Sequence, residues 1–230
     1  MRDREKLNQE TYQVNWDSLK REWPIWILLI GTLIAAIVIY PHLPDQVPIH
    51  WNIDGEVDNY GSRAFGAFML PLVNIGLYLL MLFLPLIDPR RDNYVRFAGA
   101  YRLMRGGVVL FFCVLYAATI MSAMGIAVNI GMLVKAFVAV LFILIGRFMG
   151  QMRPNYFVGI KTPWTLANDK VWEKTHRVGG RLWVGGGFLE LALAPIDTVW
   201  SAYLYFGLIL VMATVPILYS YFAFRKIARR

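Results

Sequence analysis

Apolar stretches about 20 residues long recur along this chain, and they constrain its fold more than any other feature. A helix of that length, rising 1.5 Å per residue, crosses the ~30 Å hydrocarbon core of a bilayer. The stretches are residues 23–40, 64–87, 106–125, 129–148, 181–200 and 202–224. Charged residues make up 17% of the chain, against roughly 25% in soluble domains. The sequence predicts an all-α integral membrane protein with six transmembrane helices, in which tight turns join helices three to four and five to six.

The basic residues predict the orientation, because Lys and Arg near the ends of spans favour the cytoplasmic side. Six crossings place both termini on one side, and 21 of the 23 basic residues lie on that side, all except Arg63 and Lys135. We therefore expect both termini to be cytoplasmic. The net charge of +8 follows from this topology and from contact with anionic lipid head groups, so direct nucleic-acid binding is not expected.

Three parts follow from this topology. Residues 1–22 are a polar cytoplasmic tail. Residues 23–105 hold the first two transmembrane helices, with an extracytoplasmic loop at 41–63 and a basic cytoplasmic loop at 88–105. Residues 106–230 form a four-helix membrane domain with a cytoplasmic loop at 151–181.

The outer loop at residues 41–63 has the pattern of a short strand followed by a turn. Val47, Ile49 and Trp51 alternate with more polar neighbours, and Asp54-Gly55 favours a tight turn. The sequence therefore predicts a small ordered cap, with a possible β-hairpin, on the outer face.

The same loop is rich in side chains that can bind metals or peptides. They are His42, Asp45, His50, Asp54, Glu56 and Asp58. His42, His50 and Asp58 are candidate metal ligands, although no established zinc-binding spacing occurs. The carboxylates and histidines can instead cap turns and form local hydrogen bonds. A third interpretation is a surface that recognises a cationic or amphipathic peptide arriving from outside.

Two charged residues lie within the predicted spans. Lys135 and Glu190 both lie about 8 to 9 Å or more below the outer boundary, at 1.5 Å per residue. An ionisable side chain at membrane depth usually finds a partner or lines a cavity. We predict a Lys135–Glu190 ion pair. The alternatives are a proton- or ion-coupling role and extension of the Lys135 ammonium to the interface.

The inner loop is long for a connector and dense in aromatic and basic residues, which indicates a function. Pro163 disfavours helix at Thr162, and Thr165 or Asn168 can cap the helix that follows. Apolar residues then recur at helical spacing from Val171. The pattern predicts an amphipathic helix at the inner interface, before the fifth span.

The inner loop resembles the signature of the SdpI family of bacterial membrane proteins, N-Y-x-x-G-I-[KR]-T-P-W-T-L followed by V-W-x-x-T-H. The matching residues are Asn155, Tyr156, Gly159, Ile160, Lys161, Thr162, Pro163, Trp164, Thr165, Leu166, Val171, Trp172, Thr175 and His176. The outer loop is similar to the segment that precedes this signature, at Pro44, Val47, Pro48, His50, Trp51, Asn52, Gly55, Asp58 and Gly61. The resemblance covers roughly residues 24–224.

The resemblance implies an immunity protein in the bacterial cytoplasmic membrane. One family member protects a toxin-producing bacterium from its own secreted peptide and, when toxin is present, holds a small transcriptional repressor at the membrane. On this basis the peptide-facing residues are His50, Trp51, Asn52, Asp54, Gly55 and Asp58. The residues that bind the cytosolic partner are Asn155, Tyr156, Gly159, Thr162, Pro163, Trp164, Trp172, Thr175 and His176.

Two other functional classes stay open. A small transporter would use Lys135 and Glu190, and a metal-binding membrane protein would use the outer-face His and Asp residues. We expect no enzymatic activity and no cofactor, because no nucleophile, acid and base come together in the sequence.

Overall fold

A computed structural model describes residues 11–52 and 55–228. Asp54 and residues 1–10 of the predicted tail lie outside these ranges. The helices of the N-terminal half are α1 (Trp16–Lys20), α2 (Trp23–Ile39), α3 (Arg63–Phe83), α4 (Asp92–Val95) and α5 (Ala98–Ala123). Those of the C-terminal half are α6 (Ile130–Met149), α7 (Pro163–Ala167), α8 (Asp169–Leu193) and α9 (Val199–Ala228). Strands β1 (Gln46–Trp51) and β2 (Val57–Ser62) form an antiparallel hairpin between α2 and α3.

In the described part of the chain, five helices are long and apolar enough to cross a membrane. They begin at Trp23, Arg63, Ala98, Ile130 and Val199. Helix α8 has 25 residues, but its first half is charged, and the apolar remainder of roughly 12 residues is typical of a buried core helix. It packs between α6 and α9. A sixth crossing, by α8, stays a prediction, as does the orientation.

Two predicted boundaries were wrong. Helix α5 begins at Ala98, so residues 98–105 of the predicted basic loop are helical. Helix α8 is continuous from Asp169 to Leu193, so the predicted interfacial helix and the fifth span are one element that ends before Pro195. The continuity has a packing reason, because Gly179 and Gly180, which would weaken an exposed helix, are buried here against neighbouring helices.

Helices α6 and α8 are in backbone contact. A Cβ added to Gly180 would lie 2.7 Å from the Gly146 carbonyl oxygen, and one added to Gly187 would lie 2.9 Å from that of Ala139. Small residues permit such close approach between membrane helices. Helix α9 packs on the other side of α8, where the Trp183 indole donates to the Met212 carbonyl at 2.9 Å.

Residues 11–22, part of the predicted tail, pack against the end of the helices opposite the hairpin. The Tyr12 hydroxyl donates to the Leu82 carbonyl at 3.0 Å, and its ring lies 5.9 Å from that of Tyr94. Glu22 and Arg105, both almost fully buried, form an ion pair. This pair was not predicted from the sequence, because Arg105 was interpreted only as a positive charge near a span.

Candidate functional site

Asn155 organises the signature loop, residues 153–181, from a fully buried position. Its Oδ1 accepts hydrogen bonds from the backbone N–H groups of Phe157 and Val158 at 3.0 and 2.7 Å. Its Nδ2 donates to the Arg153 carbonyl at 2.9 Å. One side chain thereby satisfies three buried backbone groups and fixes a tight turn.

Asp88 and Tyr94, from the segment between α3 and α5, continue this network. The Asp88 carboxylate accepts from the Tyr156 N–H at 2.9 Å and from the Tyr94 hydroxyl at 3.0 Å. The Tyr94 hydroxyl also lies 3.1 Å from Asn155 Oδ1. Burial and the neighbouring Asp88 carboxylate raise the pKa of Tyr94, so it stays a hydroxyl donor. Sequence reasoning missed both residues, because the loop at 88–105 was interpreted only through its charge.

His176 locks the middle of the loop. Its Nε2 accepts from the Ile160 N–H at 2.9 Å, so Nδ1 carries the proton and donates to the Trp172 carbonyl at 2.9 Å. The ring stacks on Trp172 at 4.0 Å. Gly159 has φ +111°, and a Cβ there would lie 2.4 Å from His176 Nε2. Only glycine fits this position, both for its conformation and for the close approach of the ring.

The start of the helical part of the loop is built from hydroxyl groups. Thr162 is extended, as Pro163 predicts, and it forms a capping box with Thr165 at the start of α7. The Thr162 hydroxyl also lies 3.0 Å from the Ser220 hydroxyl on α9. Asn168 caps α8, which confirms one of the two predicted caps. The loop is therefore tied to the last helix of the chain.

This burial changes the interpretation of the predicted partner-binding residues. The side chains of Asn155, Thr162, Trp172, Thr175 and His176 are buried, so in this structure they hold the loop rather than contact a partner. A surface role for them was wrong.

A second group stays available to a partner. Tyr156 is 43% exposed, Lys161 and Pro163 are exposed, and Trp164 is half-buried beside Tyr221. Arg90 lies over the Tyr156 ring at 5.7 Å.

The outer loop forms the predicted hairpin. Strands β1 and β2 pair from Gln46 and Ser62 to Trp51 and Val57, with a bulge near His50. Gly55, with φ +80°, lies in the turn that Asp54-Gly55 predicts. Val47 is fully buried against α3.

The tip of the hairpin exposes polar groups. His50 Nδ1 lies 2.5 Å from Asp58 Oδ1, and both side chains are largely exposed. Asn52 Oδ1 accepts from the Glu56 N–H at 2.9 Å. Within residues 11–52 and 55–228, no group of three or more His, Cys, Asp and Glu residues is placed to hold a metal ion. His42, in a separate turn, does not complete a site with His50 and Asp58.

The predicted Lys135–Glu190 ion pair does not form. The Lys135 ammonium donates to the Ile196 carbonyl at 3.1 Å, and both Glu190 carboxylate oxygens are buried without a hydrogen-bond partner. The contacts of Gly180 with Gly146 and of Gly187 with Ala139 place Glu190 near the level of Ala136, so Lys135 and Glu190 lie at similar heights along their helices. The two side chains nevertheless point to different surroundings, because Lys135 extends toward the turn between α8 and α9.

A cavity of about 480 Å³ lies beneath the hairpin, between α3, α5, α6 and α9. Its walls are mostly apolar, with Met69, Leu115, Val138 and Phe206 among them, and Lys135 also lines it. The hairpin residues Ile49 to Asn52 close one end. Sequence reasoning did not predict it, because a cavity depends on which helices pack and which stay apart.

Comparisons with known proteins match these features. The profile of the SdpI/YfhL protein family matches residues 151–220, which hold the signature loop, α8 and most of α9. Immunity protein SdpI of Bacillus subtilis (strain 168) is 23% identical over 201 residues, covering 87% of this chain and 94% of that protein. The chain is therefore similar to the SdpI family at residues 151–220 and to Immunity protein SdpI along most of its length. The predicted resemblance to this family is confirmed, and the chain is a multi-pass membrane protein.

The N-terminal half matches a second family profile. The profile named Domain of unknown function (DUF1648) matches residues 27–75, which include most of α2, the hairpin and the first part of α3. Uncharacterized membrane protein YbgB of Bacillus subtilis (strain 168) is 35% identical over 51 residues, 22% of this chain and 56% of that protein. No solved structure matches the chain.

Proposed function

We propose that this protein is a membrane immunity protein of the SdpI family that protects a bacterium from a secreted toxic peptide. The observation that carries the proposal is the similarity to Immunity protein SdpI, which extends over 94% of that protein. The match therefore includes the hairpin as well as the signature loop.

The hairpin is the surface that we assign to the peptide. The loop at residues 41–63 carries four carboxylates and one Arg, and its formal charge is negative. Glu56, Asp58 and Tyr60 are exposed on it. An acidic surface with an exposed aromatic ring suits a cationic, amphipathic peptide, because complementary charge increases the rate of encounter.

The test is expression of the protein in a sensitive bacterium, followed by challenge with a panel of membrane-active peptides. We expect survival against at least one cationic peptide, and reduced survival for Glu56→Gln with Asp58→Asn. Asp169→Asn with Glu173→Gln, an equal change of charge at two exposed positions of α8, is the matched control. Unchanged killing across the panel, with normal amounts of protein in the membrane, would refute the immunity proposal.

The inner face is the surface that we assign to a cytosolic repressor. The exposed groups of the signature loop, Tyr156 and Lys161 with Pro163, lie on a scaffold that the buried network holds rigid. Tyr156→Ala with Lys161→Ala should leave peptide protection intact and abolish peptide-induced transcription of the operon that encodes the protein. Normal induction in that variant would contradict a role for this surface.

A further inference from the structure

The immunity proposal assigns no role to the cavity beneath the hairpin. Two of its sides are α3 and α9, which do not pack extensively on each other. Phe65 on α3 and Phe206 on α9 line it and are 45% and 59% exposed. In a membrane, this open side faces lipid. The cavity is therefore accessible from the bilayer.

The end of the cavity nearest the hairpin carries a positive charge. An ammonium has three donors, and Lys135 uses one of them on the Ile196 carbonyl, at 3.1 Å. Among residues 11–52 and 55–228, no carboxylate forms an ion pair with it. Ile196 lies in the turn between α8 and α9, so the ammonium is near the level where lipid head groups lie.

Lys135 is also held in place. The Tyr205 hydroxyl donates to the Lys135 carbonyl at 2.7 Å, which ties α9 to α6 at this level. Both residues line the cavity. The backbone that carries the Lys135 side chain is thus fixed beside the apolar space.

We propose that the cavity binds a phospholipid with an anionic head group. The phosphate lies at the Lys135 ammonium, and an acyl chain follows the apolar walls toward Val138 and Ile209. The volume is within the range of ligand pockets, roughly 300 to 1,000 Å³.

The direction of access favours a lipid over a secreted peptide as the occupant. Ile49 to Asn52 line the end of the cavity at the hairpin, so on that side they lie between the cavity and water. The acidic groups of the hairpin, Glu56 and Asp58, also repel an anion that arrives from that side. A lipid enters through the open side, without crossing the hairpin.

Native mass spectrometry of the full-length protein, loaded with phosphatidylglycerol or phosphatidylcholine in detergent, tests this site. The wild type should retain one phosphatidylglycerol about fivefold more than phosphatidylcholine, as expected for one Lys near the head groups. Lys135→Met should abolish the preference, and Lys135→Arg should keep it. Val138→Phe, which fills the apolar part, should lower retention of both lipids. Lys174→Met, an exposed Lys on α8, is the control and should match the wild type.

Two results would overturn the proposal. One is equal retention of the two lipids by the wild type, or a preference that survives Lys135→Met. The other is unchanged lipid retention in Val138→Phe together with loss of peptide protection, which would assign the cavity to the peptide. Because lipid retention is measured without a toxin, its outcome is independent of the immunity proposal.

Discussion

Replacing Asn155 by Ala should destabilise the signature loop more than any other amide replacement near it. The substitution leaves the N–H groups of Phe157 and Val158 and the carbonyl of Arg153 without their partner. The contact with Tyr94 adds little, because the single hydroxyl proton is shared with the Asp88 carboxylate. Three lost bonds at about 1 kcal/mol each give a loss of about 3 kcal/mol.

The control for this prediction is Asn93→Ala. Asn93 is half-buried and makes one bond, from Nδ2 to the Pro154 carbonyl at 2.7 Å, so about 1 kcal/mol is expected.

Two measurements follow the effect in purified protein. Unfolding in a denaturing detergent titration gives the stability, and tryptic cleavage after Lys161 reports opening of the loop. If Asn155→Ala is no less stable than Asn93→Ala, the network does not hold the loop and the argument fails.

Three further predictions concern the same loop and the membrane carboxyl. Gly159→Ala should lower the free energy of unfolding by about 2 kcal/mol or more and speed tryptic cleavage of the loop, because Gly159 has a positive φ and the His176 ring lies close to it. The control is Gly150→Ala, whose added Cβ would meet nothing within 4 Å, and it should leave the stability unchanged. Burial lowers the pKa of His176 to about 4, against a smaller opposing effect of the Trp172 carbonyl, so the unfolded loop takes up a proton first as the pH falls. The contribution of His176 to the stability of the loop should be fully present above about pH 6.5 and should fall by about 3 kcal/mol toward pH 4. Proteolysis of the loop measured across that range should show this change in the wild type and not in His176→Gln. Glu190→Gln should change the free energy of unfolding by less than about 1 kcal/mol. Breaking a buried ion pair costs roughly 3 to 5 kcal/mol, so a loss of that size would show that Glu190 is ion-paired after all.

The fold was predictable where one local pattern decides it. Alternation at Val47, Ile49 and Trp51, with an Asp-Gly turn, predicts the hairpin. Five apolar helices follow from stretch length. Helix α8 was harder, because its charged first half and its apolar second half have different composition although the backbone is continuous.

The candidate site was less predictable. The signature motif marks the residues that matter, but a motif does not tell which of them face inward. Asn155 and Thr162 face inward because they contact Tyr94 and Ser220, which are distant in sequence. The prediction of a Lys135–Glu190 ion pair was wrong for a related reason, because a similar position along neighbouring helices does not fix the direction in which a side chain points.

The glycine contacts between α6 and α8 limit how a stimulus on one side of the membrane can reach the other. Sliding α8 along α6 by one turn would bring Trp183 or Val184 toward the place that Gly180 occupies against Gly146, and neither side chain fits a gap that even a Cβ would close. These two helices are therefore unable to act as a piston. A movement that links the hairpin and the signature loop therefore has to carry α6 and α8 together, with their contact intact.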